Sequence, residues 1–437
     1  MRLKSLLIRP YARHVVNKVA QWSSLPFEAQ DRTLKALVSI AAGTAFGKTH
    51  RFDAIKNYAD FKKAVPLRNY EQLVPFIDRI INGEKNVLWP GKPVYFAKSS
   101  GTTAGVKFIP ITRDSLKNHF YTAQTALLMY MVETRTWRIM DGKMIFLSGS
   151  PVLERVGGIP AGRLSGIVNH QIPAYLKANQ LPSWETNCIE DWETKLDNIV
   201  DETVSQNMTL ISGIPPWMQM YFDKLRERTG KPVRKIFPNL QVLVHGGVNF
   251  EPYRAKLEVS IGEKIQTLET YPASEGFIAF QDTAGWKGLL LNADSGIFYE
   301  FVRAENIFDE NPDRFSLKDV ETGVHYAIII NSNAGLWGYV LGDTVKFVTK
   351  NPYRIAVTGR ISHFISAFGE HVIAEEVEQA MKEAVAGEEA VVTEFTVAPQ
   401  ITPLNGGLPC HEWLIEFEKP PADLRKFSAR LDLLMCA

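Results

Sequence analysis

Ser99-Ser100-Gly101-Thr102-Thr103-Ala104-Gly105-Val106-Lys107 places four hydroxyls, two glycines and a lysine within nine residues. Glycines let the backbone turn its N–H groups toward an anion, hydroxyls add short hydrogen bonds, and a lysine supplies a point charge. That is equipment for holding a polyphosphate. The spacing is not that of a Walker A loop, because Gly101 and Gly105 are followed by Val106 and Lys107 rather than by Gly-Lys-Ser/Thr. Taken alone, the same residues fit a polar turn with no ligand.

Three further clusters carry residues of use to a nucleotide. Thr270-Tyr271-Pro272-Ala273-Ser274-Glu275 follows an apolar run at Ile265–Leu268. A loop leaving the carboxyl end of a parallel strand is where open α/β sheets bind ligands. Tyr271 can stack on a planar base there, and Glu275 can hold a magnesium ion bridging phosphates. Gly338-Tyr339-Val340-Leu341-Gly342-Asp343-Thr344 offers a carboxylate on a glycine turn, suited to the two hydroxyls of a ribose. His245-Gly246-Gly247 follows the run Leu240–Val244, and glycines without side chains let a flat ring lie on the backbone. Each is ambiguous alone. A strand-end turn, a Gly-Asp hairpin turn and a structural histidine fit equally well.

Positioning these clusters requires a mainly parallel α/β domain. Val94–Ala97 reads as a strand, and Thr112 as the N-cap of a helix over 112–132 with Leu116, Phe120, Ala123, Leu127 and Met131 on one face. Short apolar runs at Met144–Leu147, Leu210–Ile214, Leu240–Val244 and Ile265–Leu268 alternate with helical stretches at 189–206 and 216–229, the rhythm of βαβ units. After residue 285 the pattern turns β-rich, predicting an antiparallel piece at Leu289–Leu291, Ile297–Val302, Tyr326–Ile330 and Val345–Val348. The N-terminus is predicted helical, with apolar positions Leu34, Leu37, Val38 and Ala41, followed by short helices broken by Pro66, Pro75 and Pro90. Residues 358–437 read as a small α+β domain behind an N-terminal domain of residues 1–357, with helices at 374–386 and 421–435.

Composition narrows the partners. At 437 residues the chain is too long for one ordinary core. With 49 basic against 48 acidic side chains, its net field gives no reason to expect nucleic acid or an anionic membrane. Cys188, Cys410 and Cys436 are too few and too scattered for a disulfide framework or zinc site, which points to a reducing, cytoplasmic setting. No run of 18 apolar residues is present. The basic N-terminus (Arg2, Lys4, Arg9, Arg13, Lys18) reads as an amphipathic helix with Leu6, Leu7, Tyr11, Val15 and Val19 on its apolar side.

In this order and spacing, the four clusters resemble the Gretchen Hagen (auxin-responsive promoter) family of acyl acid amido synthetases. That family belongs to the adenylate-forming superfamily of firefly luciferase and acyl-CoA ligases. The resemblance runs from the helical N-terminus through Phe96–Pro110, Tyr271–Glu275 and Tyr339–Asp343 to Gly359–Glu370. It implies ATP-dependent activation of a small carboxylic acid as an acyl-adenylate, then transfer of the acyl group to an amino acid or other amine. It also implies a large N-terminal domain and a small swivelling C-terminal one. By motif, Ser99, Ser100, Thr102, Thr103 and Lys107 would cradle phosphates, and Gly246, Gly247 and Tyr271 would flank adenine beside Ser274. Glu275 would bind Mg2+, Asp343 the ribose, and Arg360 ribose or phosphate near the hinge. By analogy, the acyl pocket would use Phe120, Tyr121 and Trp217.

Two positions depart from the family pattern. Val340 stands where relatives carry an arginine before Gly-Asp. The chain also ends at Leu434-Met435-Cys436-Ala437, where relatives continue through a glycine-rich segment bearing a lysine. The expectation is therefore an incomplete small domain, with Leu431, Leu433 and Leu434 partly exposed. Two alternatives stay open: an acyl-CoA ligase sharing the ATP motifs, and a nucleotide- or acid-binding homologue that has lost turnover.

Overall fold

A computed structural model describes residues 3–100, 106–172, 177–285, 288–361, 365–367, 370–372, 374–386, 388, 390–400 and 410–435. Among these, eleven strands form one mixed sheet. Its parallel half runs Gln180–Leu181, Lys143–Phe146, Met208–Ser212, Val242–Gly246, Gln266–Ala273. Its antiparallel half continues through Gly276–Phe280, Leu289–Leu291, Tyr353–Arg360, Tyr339–Lys350, His325–Ser332 and Ile297–Arg303. The helices Trp192–Thr203 and Pro215–Thr229 cover one face of the parallel half, as βαβ crossovers require. A smaller four-stranded sheet contains the hairpin Tyr95–Ser100/Val106–Ile111, which carries Lys107.

Several elements differ from the sequence expectation, each for a local reason. Thr270–Ala273 and Tyr339–Asp343 lie inside strands rather than in loops. Their glycines and proline mimic loop composition, but pairing with neighbouring strands keeps them in the sheet. Pro75 does not break its helix, Tyr70–Ile81. It sits on the exposed side with Glu71, so the carbonyl that loses its N–H partner faces water. The helix Arg113–Thr134 buries Ser115, His119, Thr122 and Ala126, and of the predicted stripe it fully buries Met131 alone. There Thr122 accepts a hydrogen bond from Asn292 Nδ2 at 2.8 Å, and Asn118 reaches the Ser295 carbonyl. Polar partners on the adjoining loop thus overrule apolar periodicity. The first helix, Leu3–Ser24, buries Ala12, Val15, Val19 and Trp22 against it, while Tyr11 stays exposed. Thr358–Arg360, placed past a domain boundary by sequence, remain in the large sheet, with Arg360 opposite Asp343.

Beyond residue 361, the helices Ala374–Val385 and Leu424–Met435 pack with the hairpin Val391–Gln400/Cys410–Lys419 around their own core of Ala380, Met381, Ala384, Phe427 and Leu431. Leu431 is therefore buried, contrary to expectation; Leu433 is exposed and Leu434 half-buried against that core.

A buried charged pair crosses the main core. Arg314 donates to both oxygens of Glu300 at 2.9 and 2.7 Å, with the two side chains 7% and 0% exposed. Arg314 also donates to the carbonyls of Lys62 and Val65, which end the helix Tyr58–Ala64. Asn331 donates to Glu300 at 2.8 Å and accepts the Gly338 N–H at 2.6 Å. Removing one member leaves the other charge buried and unpaired, which costs about 3–5 kcal/mol. Arg314→Met should therefore lower unfolding free energy by about that amount in urea titration. A loss below ~1 kcal/mol would show the pair to be dispensable.

Candidate active site

The lysine hairpin sets Ser99 directly opposite Lys107, both half-buried, while Ser100 pairs with Val106 through its backbone. Thr102 and Thr103 lie outside the described residues. Lys107 Nζ stands 5.5 Å from the centroid of the Tyr70 ring. The hairpin runs into the N-cap foreseen at Thr112, whose Oγ1 accepts the Ser115 N–H at 3.1 Å.

Ala273 pairs with Gly276, so Ser274 and Glu275 form the tight turn of a hairpin rather than an open loop. Glu275 is buried, and its carboxylate accepts a hydrogen bond from Tyr339 Oη at 3.2 Å. Burial pushes its pKa up from the ordinary 4.5; the nearby Asp343 adds to the rise, and Tyr339 and Lys107 oppose it. Asp343 reaches the same place through a bulge. Across Ala327–Ile329 the partner strand advances from Thr344 to Val340, and the extra residues include Gly342 at φ 95°. That left-handed backbone suits glycine and re-aims the side chain that follows. Asp343 Oδ2 accepts from Tyr271 Oη at 2.5 Å, and Oδ1 lies 3.3 Å from Arg360 Nε. Burial raises this carboxyl too, with Tyr271 and Arg360 pulling the other way.

Tyr271 is only 7% exposed and belongs to the main core, so its ring offers no open face to a base. Its phenol positions Asp343 instead. Gly246 ends its strand opposite Thr270, and a Cβ there would lie 2.1 Å from the Thr270 carbonyl oxygen; the glycine is demanded by strand approach as well. Gly247 follows it, exposed. His245 is buried and stacked on Phe250 at 4.0 Å, with its pKa lowered to about 4 by burial; this matches the structural reading of that residue.

The three aromatic pocket candidates have different surroundings. Tyr121 lies on the exposed side beneath Lys18, whose Nζ is 5.1 Å from its ring. Trp217 packs on Trp192 at 4.8 Å, against the core between the covering helices. Phe120 is half-buried on the helix Arg113–Thr134. Val340 donates its backbone N–H to Arg68 O at 2.9 Å, so the position before Gly-Asp serves strand pairing here. Sequence reasoning missed the partners Tyr70 and Tyr339. Tyr339 stood inside a quoted motif without a role, and Tyr70 was signalled only by the Asn69/Gln72 capping box in front of its helix.

Models of the GH3 family N-terminal domain match residues 15–190 and 164–265, and the GH3 family central domain matches residues 290–360. The chain belongs to the GH3 family, in line with the resemblance carried by its motifs. It is 23% identical over 383 residues to the jasmonoyl–L-amino acid synthetase JAR4 of Nicotiana attenuata, covering 72% of this chain. It spans 66% of that relative's length. It is 33% identical over 138 residues to the indole-3-acetic acid-amido synthetase GH3.17 of Arabidopsis thaliana, 30% of this chain and 22% of that protein. Among solved structures, the GH3.15 acyl acid amido synthetase shares the fold with a TM-score of 0.76 at 15% identity, over 96% of this chain and 83% of that one. A 2-hydroxyisobutyryl-CoA ligase in an open conformation gives 0.59 at 14% identity, over 93% and 89%.

A carboxyl whose pKa is higher folded than unfolded holds its proton more tightly in the folded state. Its contribution is therefore most favourable when protonated and declines as pH rises from about 4.5 through the raised value. Glu275→Gln, which keeps the acceptor for Tyr339, should melt on the order of 2 °C higher than the parent at pH 8. It should also show a flatter melting temperature between pH 5 and 8. Parallel profiles for parent and variant in a thermal scan would rule out Glu275 as the source.

Proposed function

We propose that this chain is an ATP-dependent acid–amino acid ligase, activating a carboxylic acid as an acyl-adenylate and passing the acyl group to an amine. One observation carries the reading: Lys107, Glu275, Asp343 and Arg360, from four separate segments, converge on one another on strands and a turn fixed by pairing. Two cations beside one buried and one half-buried carboxylate suit a nucleotide triphosphate with its counter-ion better than they suit acid–base chemistry on a neutral substrate. In this reading Asp343, already oriented by Tyr271, receives the ribose hydroxyls. Gly246 and Gly247 leave room for adenine at the strand end, and Lys107 and Ser99 meet the phosphates. The acid's carboxylate attacks the α-phosphorus, pyrophosphate leaves, and Lys107 and Arg360 offset the charge that builds on the phosphoryl oxygens. An amine then attacks the acyl carbon, AMP leaves with the electron pair of the broken C–O bond, and the proton the amine loses passes to solvent.

Glu275 fits a magnesium ion: a buried carboxylate with Asp343 close by, in a setting where phosphates would supply the remaining oxygens. Magnesium held there would neutralise phosphate charge during transfer. Among the described residues, no three His, Cys, Asp or Glu side chains converge as a metal cluster.

The same reading places the division between the large domain and a swivelling small one just past Arg360. It is supported by the separate core of Ala380, Met381, Ala384, Phe427 and Leu431. No helix among the described residues is long and apolar enough to cross a membrane. A free, half-buried Cys188 fits a reducing cytoplasm. The fold shared with a CoA ligase favours coenzyme A as the second acceptor to weigh against an amino acid.

The test is pyrophosphate release from ATP and magnesium across aryl and alkyl carboxylic acids, using the parent chain, Lys107→Ala and Glu275→Ala. Acid-dependent release that falls at least ~100-fold in both variants is expected for groups that stabilise the transferring phosphoryl. Products with an amino acid or with coenzyme A then separate the two ligases. ATP binding without acid-dependent release would overturn the ligase reading.

A further inference from the structure

We propose that Tyr70, in the N-terminal helical segment, is the positioning residue that fixes Lys107, and that its segment sets the distance between Lys107 and Glu275; this rests on the nucleotide-site reading above. Tyr70 is the first residue of the helix Tyr70–Ile81, held by the reciprocal cap of Asn69 and Gln72 at 3.0 and 2.9 Å. Only 8% of it is exposed. Its hydroxyl accepts the N–H of Phe108, the residue after Lys107, at 2.7 Å. Its ring lies under the Lys107 ammonium at 5.5 Å. One side chain therefore grips the strand by its backbone and the lysine by its charge, which limits both the register and the rotamer of Lys107.

The same segment reaches the opposite wall. Arg68 N donates to Gly338 O at 2.7 Å and Arg68 O accepts from Val340 N at 2.9 Å, bracketing Tyr339. Tyr339 is the residue that donates to Glu275. Within three residues, Arg68 to Tyr70, the chain holds the neighbour of the cation and the neighbour of the carboxylate. A helix outside both sheets thus acts as the strut between them.

The test uses Tyr70→Phe, which keeps the ring and loses the acceptor, and Tyr70→Leu, which loses both. Two readouts are taken: the rate at which an N-hydroxysuccinimide ester acylates Lys107, followed by peptide mass spectrometry, and ATP affinity with magnesium by calorimetry. Melting curves identify variants that fail to fold. Tyr70→Leu should label Lys107 about threefold faster, the size of an ordinary cation–π contribution, with Tyr70→Phe near the parent. ATP affinity should fall about tenfold in Tyr70→Leu and less in Tyr70→Phe. Unchanged Lys107 labelling in folded Tyr70→Leu would overturn the proposal. Faster Lys107 labelling in folded Tyr70→Leu, with a parent chain that binds no ATP, would sustain Tyr70 as the holder of Lys107 and sink the nucleotide reading instead.

Discussion

The Glu300 carboxylate is the point at which segments distant in sequence are forced into one arrangement. Its charge is tolerable in a dry core only because Arg314 meets both oxygens and Asn331 adds a further donor. Those two partners pass the constraint on. Arg314 fixes the carbonyls of Lys62 and Val65, and three residues later Arg68 pairs with the strand holding Tyr339 and Asp343. Asn331 fixes Gly338, where that strand begins its approach to the site. Moving Arg314 would shift the N-terminal segment and the aspartate strand together, because a buried charge permits few alternative geometries.

The site carboxylates are treated differently by the fold. Glu275 and Asp343 are also taken from water, yet neither receives a buried guanidinium. Phenols of Tyr339 and Tyr271 orient them, and Arg360, 60% exposed, approaches only one. A phenol directs a carboxylate without neutralising it, so both retain unspent attraction for a cation or for hydroxyl donors. Natural proteins tolerate such local cost where binding repays it. The contrast between Glu300 and this pair distinguishes a structural charge from one kept available.

Sequence reading recovered what depends on local chemistry. Thr112 caps its helix because a hydroxyl three residues before Ser115 can do so in any context, and the parallel strands follow from apolar runs spaced by helices. It placed Glu275, Asp343 and Gly246 in loops because glycine and proline are read as breakers. Pairing with neighbouring strands holds Asp343 and Gly246 in the sheet and leaves Glu275 in a tight hairpin turn, and no local signal reports a strand's neighbours. The buried stripe Ser115, His119, Thr122 was invisible for a related reason: its match is the loop at Asn292–Ser295, some 170 residues away. Tyr271 was assigned a base to stack on, whereas its depth in the core follows from side-chain alternation along a strand longer than the apolar run suggested. Charged residues are ordinarily assigned to the surface, so nothing near Arg314 or Glu300 signalled their pairing.

The ties between residues 62–70 and residues 300–340 also bear on the order in which the molecule is made. On a ribosome adding about 5–20 residues per second, the segment ending at Tyr70 waits roughly 15–55 s before its partner strand emerges. Through that interval Leu73, Ile77 and Ile80 lack the part of their core that the strands from Leu289 onward supply. The reciprocal cap of Asn69 and Gln72, which needs no distant partner, lets the helix form early and keep its register while the rest of the chain is synthesised. The helix is thereby in place when the Arg314 pair closes.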